Sequence, residues 1–118
     1  MSNEVEMSAR LYASKNGATI NPQTFSAIAN MTGTDMGQIT QLVGTADEAL
    51  EINSDTSTPY RMLIFNMDLQ NDVAIGPTGV FPFRIPPQQS MLIPLVNMQM
   101  FVKAANNSVR IFVQFCEI

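Results

Sequence analysis

The 118-residue chain contains no histidine, no tryptophan and a single cysteine. Without histidine the commonest general base and metal ligand near neutral pH is missing, and nucleophile arrangements built on Ser-His-Asp or Cys-His are excluded. Without tryptophan, and with only Tyr12 and Tyr60 in its place, few flat platforms remain on which a sugar ring could stack. The lone Cys116 has no partner for an internal disulfide, so nothing in cysteine usage implies an oxidising compartment. No cation adjoins it in sequence to favour the thiolate, and it reads as an inert strand thiol.

Charge is scarce as well. Charged residues make up 14% of the chain and leave a net charge of -4, where about 25% is usual for a soluble domain. The cations Lys15, Lys103, Arg10, Arg61, Arg84 and Arg110 are few and scattered, so no phosphate-tracking surface and no nucleic-acid partner are expected. No apolar run approaches the ~18 residues of a membrane-spanning helix. The opening "MSNEVEMSAR" is acidic and lacks an apolar h-region, so it is not read as a signal peptide, and no membrane partner is expected. Glycines never cluster as GxGxxG or GxxxxGK, so no phosphate cradle is proposed. "NMDLQND" spaces Asn66, Asp68, Gln70 and Asp72 like oxygen ligands but lacks the glycine and distal glutamate of an EF-hand. It is expected to cap its own backbone as a corner. Asp47, Glu48 and Glu51 read as a solvated acidic edge. The chain is therefore expected to be no enzyme, with no catalytic residues, no cofactor and no metal.

Asn, Gln, Ser and Thr stand where the charges are missing. Burying an amide or a hydroxyl costs far less than burying an ion, so such an exterior suits a protein whose surface becomes an interface. It equally suits a neutral-polar surface with no partner. Nine methionines fill irregular core gaps or make adaptable contact surfaces.

Short runs of alternating polarity are separated at intervals of about 8 to 12 residues by turn signals, the pattern of an all-β sandwich or barrel. Asn16-Gly17 marks a hairpin, because both positions tolerate positive φ. "RMLIFNM" is apolar on both faces, as a central strand would be, while "GPTG" is a tight turn. "VFPFRI" and "SMLIPLV" carry prolines that suit edges or bulges. "DEALEI" is a short strand or a helical turn, and "INSDTSTP" a loop. We expect one domain over residues 1–118, an antiparallel β-sandwich, jelly-roll-like, of eight to ten strands.

If Asn106-Asn107 turns a hairpin, counting pairs Ala104 with Val109, Val102 with Ile111, Met100 with Val113 and Met98 with Phe115. All eight are apolar, so this is the expected core face. The opposite face then pairs Lys103 with Arg110, Phe101 with Phe112, and Gln99 with Gln114. Like charges face one another there, and an aromatic pair points away from the core. Either a further layer or the amino-terminal segment covers that face, or it is a subunit contact. In the second case Phe101 and Phe112 fill a partner's pocket, and Lys103 and Arg110 meet its carboxylates.

The order of elements resembles the small β-sandwich structural proteins of tailed-bacteriophage virions, the decoration, cement and fibre-associated subunits. The resemblance is carried by "ARLYASKNGATI", "TFSAIANMTGTDMGQITQLVGTADEALEI", "MLIFNMDLQNDVAIGPTGVFPFRI", "SMLIPL" and "FVKAANNSVRIFVQF". Within them an Asn-x-Asp corner is followed by Asn71, Val73 and Gly76, then by a short Lys103-Ala104 strand before the last strand. The chain departs from that pattern at "IPPQQS", where a Lys-Pro-Gly type turn is usual, so this corner must be built differently. The resemblance implies a homo-oligomer, commonly a trimer, made in the host cytoplasm and bound to the major capsid protein or another virion subunit. A neck or tail-fibre adaptor, or a carbohydrate-binding module contacting its ligand through Tyr12 or Tyr60, are the other readings.

Overall fold

The computed structural model describes residues 4–20, 23–31, 36–50, 60–77, 79–95 and 100–117, with Tyr60 and Leu95 described by their backbone alone. Among them there is no helix. The chain divides into two units, Met1–Thr32 and Gly33–Ile118.

The first unit is a ribbon. Strands β1 (Val5–Arg10) and β4 (Thr24–Ala29) pair antiparallel, and between them β2 (Ser14–Lys15) and β3 (Ala18–Thr19) form a small hairpin. Its turn is the expected Asn16-Gly17, with φ of 51° and 83°, the two positive values that a two-residue turn of this kind requires. The β1–β4 register sorts side chains by polarity, with Ile28 as the exception. Val5, Met7 and Ala9 stand opposite Ala29, Ala27 and Phe25 on one face, while Glu6, Ser8 and Arg10 stand opposite Ile28, Ser26 and Thr24 on the other.

The second unit is a jelly roll. Its eight strands are β5 (Met36–Val43), β6 (Glu48–Ala49), β7 (Tyr60–Asn66), β8 (Val73–Gly76), β9 (Phe83–Ile85), β10 (Ser90–Leu95), β11 (Phe101–Ala104) and β12 (Val109–Glu117). One sheet has the order β10-β7-β12-β5 and the other β6-β11-β8-β9. Every pairing is antiparallel. Consecutive strands mostly change sheets, which is how two Greek keys wrap an eight-stranded sandwich. The expected all-β, jelly-roll-like architecture is therefore the one found, with four ribbon strands added to the eight.

Both sheets feed one core. Val43, Met62, Ile64, Val109, Ile111 and Val113 come from the first sheet, and Val73, Ile75, Ile85, Val102 and Ala104 from the second. Their spacing of two along each strand is what places them on one face. The central position expected for "RMLIFNM" is observed, since β7 lies between β10 and β12. The proline-bearing stretches fall on edges, with β9 and β10 each closing one side of a sheet.

The terminal hairpin is a correction. Strands β11 and β12 do not pair, because β11 lies between β6 and β8 while β12 lies between β5 and β7. The four residues between Ala104 and Val109 form an arch that carries the chain from one sheet to the other. Lys103 therefore stands opposite Ala74 and not Arg110; Phe101 opposite Gly76 and Ala49; Phe112 opposite Phe65 and Thr40; and Gln114 opposite Leu63 and Gln38. Gln99 and Met98, like the 52–59 loop, lie outside the described residues. The expected inward set survives, with Met100, Val102, Ala104, Val109, Ile111 and Val113 all buried. A hairpin and an arch bury the same alternate residues, so alternation alone does not tell side-by-side strands from strands stacked across a core.

Two polar networks fix the corners. Asn66, fully buried, donates its amide to the carbonyls of Asn71 (2.8 Å) and Ile85 (2.9 Å), and its side-chain oxygen accepts from the Asp68 N–H (2.9 Å). Asp68 in turn accepts from the N–H groups of Gln70 (2.9 Å) and Asn71 (2.7 Å). "NMDLQND" thus caps its own backbone as expected. The "IPPQQS" corner is built without glycine by placing Gln88 at φ 62°, where its amide donates to the carbonyls of Met67 (2.9 Å) and Asp68 (3.2 Å). In the second network the Gln41 amide, on β5, donates to Glu48 Oε1 (3.0 Å) and the Ala49 carbonyl (3.1 Å), and Glu48 Oε2 accepts from the Gly44 N–H (3.1 Å). Glu48 is therefore part of the joint between the two sheets, a correction to its reading as a solvated edge.

Candidate protein-interaction surface

The outward faces of the two sheets differ in chemistry, and the difference follows from residue order. On the β6-β11-β8-β9 sheet, Lys103, Ala74 and Arg84 form one cross-strand row. Lys103 lies 3.8 Å from Asp47 and 5.9 Å over the Phe81 ring, and Arg84 lies 3.9 Å from Asp72. Both cations already face a carboxylate on their own surface. Such exposed pairs contribute little to stability, but they leave this face hydrated and ion-bearing.

The other sheet turns outward almost without ions. Its rows run Leu92, Leu63, Gln114, Gln38 and then Ser90, Phe65, Phe112, Thr40, with Arg110 beside Leu42 at the end. Leu42 is 55% exposed and Leu92 39%, while Leu63, Phe65 and Phe112 are half-buried. An aromatic pair does stand on the outer surface, but it is Phe65 with Phe112, neighbours across β7 and β12. Gln114 donates its amide to the Gln38 side-chain oxygen at 3.3 Å. Arg61 and Arg110 are the cations on this face, and none of its described outward positions holds Asp or Glu.

The structure thus divides the residues singled out in the sequence. Phe112, Arg110 and Gln114 stay together on the β10-β7-β12-β5 face, whereas Phe101 and Lys103 belong to the opposite sheet. Sequence reasoning missed Leu42, Leu63, Phe65 and Leu92 as members of the outer face. For Leu63 and Phe65 the signal was the apolar run 62–65, which places apolar side chains on both faces of β7; Leu42 and Leu92 had no such local signal.

Cys116 ends the same face, half-buried. Burial pushes its thiol pKa up, opposed by the nearby Arg61 guanidinium, so the thiolate is disfavoured. No cluster of three or more His, Cys, Asp or Glu suited to a metal ion occurs among the described residues. Tyr12 is exposed on the ribbon, while the Tyr60 side chain lies outside the described residues.

A partly aromatic sheet face with few ions is a surface that another protein can cover at low desolvation cost. Comparison with protein-family models finds no match, and comparison with curated proteins finds none. Among solved structures, a chain described as "Bacillus endospore appendages form a novel family of disulfide-linked pili" is similar, with TM-score 0.47 and 10% identity over 78% of this chain and 96% of that one. A likeness that distant carries no conclusion about activity or partner.

Proposed function

We propose that this chain is a structural subunit of a tailed-bacteriophage virion, a capsid decoration or cement protein. It binds the lattice of the major capsid protein as a homo-oligomer and performs no chemistry. The observation that carries the reading is the outer face of β10-β7-β12-β5, where Leu42, Leu63, Phe65, Leu92 and Phe112 are surrounded by amides and hydroxyls. Aromatic and aliphatic anchors in a rim of uncharged polar groups are what a protein partner can desolvate. Arg110 on a face without carboxylates favours a partner that presents Asp or Glu. The jelly roll is a scaffold shared by viral capsid and lectin domains, and since a scaffold does not by itself set function, the virion assignment rests on the resemblance in sequence. Binding to a repeating lattice multiplies weak contacts, so each copy can hold loosely and the shell still gains strength.

The test is cosedimentation with empty, expanded capsids. Wild-type chain is expected to bind and raise the temperature at which capsids rupture. Leu92→Asp with Phe112→Asp, checked by circular dichroism for an intact fold, is expected to lose at least about 2 kcal/mol of binding, roughly a factor of 30, the scale of an interface anchor. Phe101→Asp, on the other sheet, is expected to bind normally. Binding to neck or tail fractions alone would replace the decoration role with an adaptor role. Equal binding by all variants would remove the outer face from the account.

A further inference from the structure

A sheet edge presents unpaired N–H and C=O groups, and proteins that stay solitary shorten such edges, charge them or block them with proline. Three of the four jelly-roll edges are treated in that way. Strand β6 has two residues; β9 has three, holds Arg84 and is flanked by Pro82 and Pro86; β10 carries Pro94 within it. Strand β5 is different. It runs eight residues, "MGQITQLV", without a charge or a proline, and among the described strands it is hydrogen-bonded to β12 on one side only. Gln41 and Gly44 tie its far end to Glu48, which leaves Met36–Thr40 as the open stretch.

The ribbon has the converse problem. A two-stranded sheet is marginal in water by itself, and this one leaves its apolar side uncovered toward the tip. Phe25 is 70% exposed, and with Ala9, Leu11 and Ile20 it lines a groove of about 400 Å³. Its two edges are unequal. Strand β1 carries Glu6 and Arg10, whereas β4, "TFSAIA", carries neither charge nor proline and among the described strands is hydrogen-bonded to β1 alone.

We propose that β4 of one copy pairs antiparallel with the Met36–Thr40 stretch of β5 in a second copy of this chain. The face pattern matches in one sense only. Phe25 and Ala27 continue the side of β5 that holds Ile39 and Gly37, and Thr24, Ser26 and Ile28 continue the side that holds Thr40, Gln38 and Met36. Ile28 then stands opposite Met36, and a one-residue slip would set Phe25 and Ile28 against the amide and hydroxyl of Gln38 and Thr40 or leave them unmatched. Neither edge bears an ion, so pairing strips no charge of its water. One five-residue junction falls well short of the ~1,200 Å² that a stable interface buries. Each copy therefore gives a ribbon and receives one, and the unlike surfaces close as a reciprocal pair or a ring. This inference does not depend on the virion reading.

The test uses the full chain with Cys116→Ser and two affinity tags. Copies with Ser26→Cys under one tag are mixed with copies with Gln38→Cys or Thr40→Cys under the other, then mildly oxidised. Disulfides joining the two tags are expected, together with sedimentation above the monomer value. Ser26→Lys, at an exposed site, is expected to return sedimentation to the monomer value, while Leu69→Lys, at an exposed corner after β7, leaves it unchanged. A monomer at every concentration overturns the proposal. So does an oligomer that Ser26→Lys leaves intact, or one in which no disulfide joins the two tags.

Discussion

Replacing Asn66 by alanine removes three hydrogen bonds at a position with no exposed surface. The carbonyls of Asn71 and Ile85 and the N–H of Asp68 each lose a partner. A net hydrogen bond contributes about 1 kcal/mol, and a buried group left unpaired costs more, so the expected loss is about 3 kcal/mol. For a chain of this size that corresponds to a fall in Tm of roughly 10 to 15 °C. Urea unfolding followed by fluorescence and circular dichroism reads it as a lower midpoint at constant slope. Asn66→Asp is the sharper variant, because it keeps the acceptor for Asp68 and replaces a donor by a carboxylate facing two carbonyls. Burial there raises the carboxyl pKa in the folded state, so the folded protein binds the extra proton and the variant's deficit shrinks as pH falls. A loss below about 1 kcal/mol for Asn66→Ala, or a deficit for Asn66→Asp that grows on acidification, would refute the corner as described.

Asp68 is held below its ordinary pKa of 3.8 by the N–H groups of Gln70 and Asn71. A depressed carboxylate adds stability above its unfolded pKa and loses it as pH falls through the folded one, so Asp68→Asn should flatten the acid limb of a pH–stability curve below about pH 4. At Gly76 an added Cβ would overlap the Val80 carbonyl oxygen and come within 2.6 Å of Pro82 Cδ; Gly76→Ala should cost about 2 kcal/mol or more in urea unfolding, and a neutral result would place the β8–β9 turn elsewhere. Cys116, whose thiolate burial disfavours, should be alkylated by iodoacetamide at pH 7.5 more slowly than a free model thiol, with unfolding in urea restoring the ordinary rate.

Much of the fold was legible because alternation reports which face a side chain takes. The inward residues of β11 and β12, the central placement of β7, the Asn16-Gly17 turn and the proline-bearing edges all follow from local chemistry. Strand partners are a different matter. Whether Val102 and Ile111 sit side by side or across a core depends on an arch whose residues, Asn106 and Asn107, suit a hairpin equally well. That ambiguity moved Phe101 and Lys103 to the wrong surface. The joint between Gln41 and Glu48 was hidden for a related reason, since a buried Gln and a half-buried Glu look like solvated residues until the partner atoms are placed. The Asn66 corner was legible in outline, through the Asn-x-Asp spacing, but its reach to Ile85 was not. The positive φ of Gln88 was invisible, although the lack of glycine in "IPPQQS" signalled that the corner would be built in another manner.

The central claim is that the carboxylate-free outer face of β10-β7-β12-β5 is covered by another protein. Hydrogen exchange of the full chain, free and bound to expanded capsids, measures it directly. The account predicts added protection in β7 and β12, around Leu63, Phe65 and Phe112, with β8 and β11 around Ala74 and Lys103 unchanged. Protection confined to the second sheet, or none on either, would contradict it.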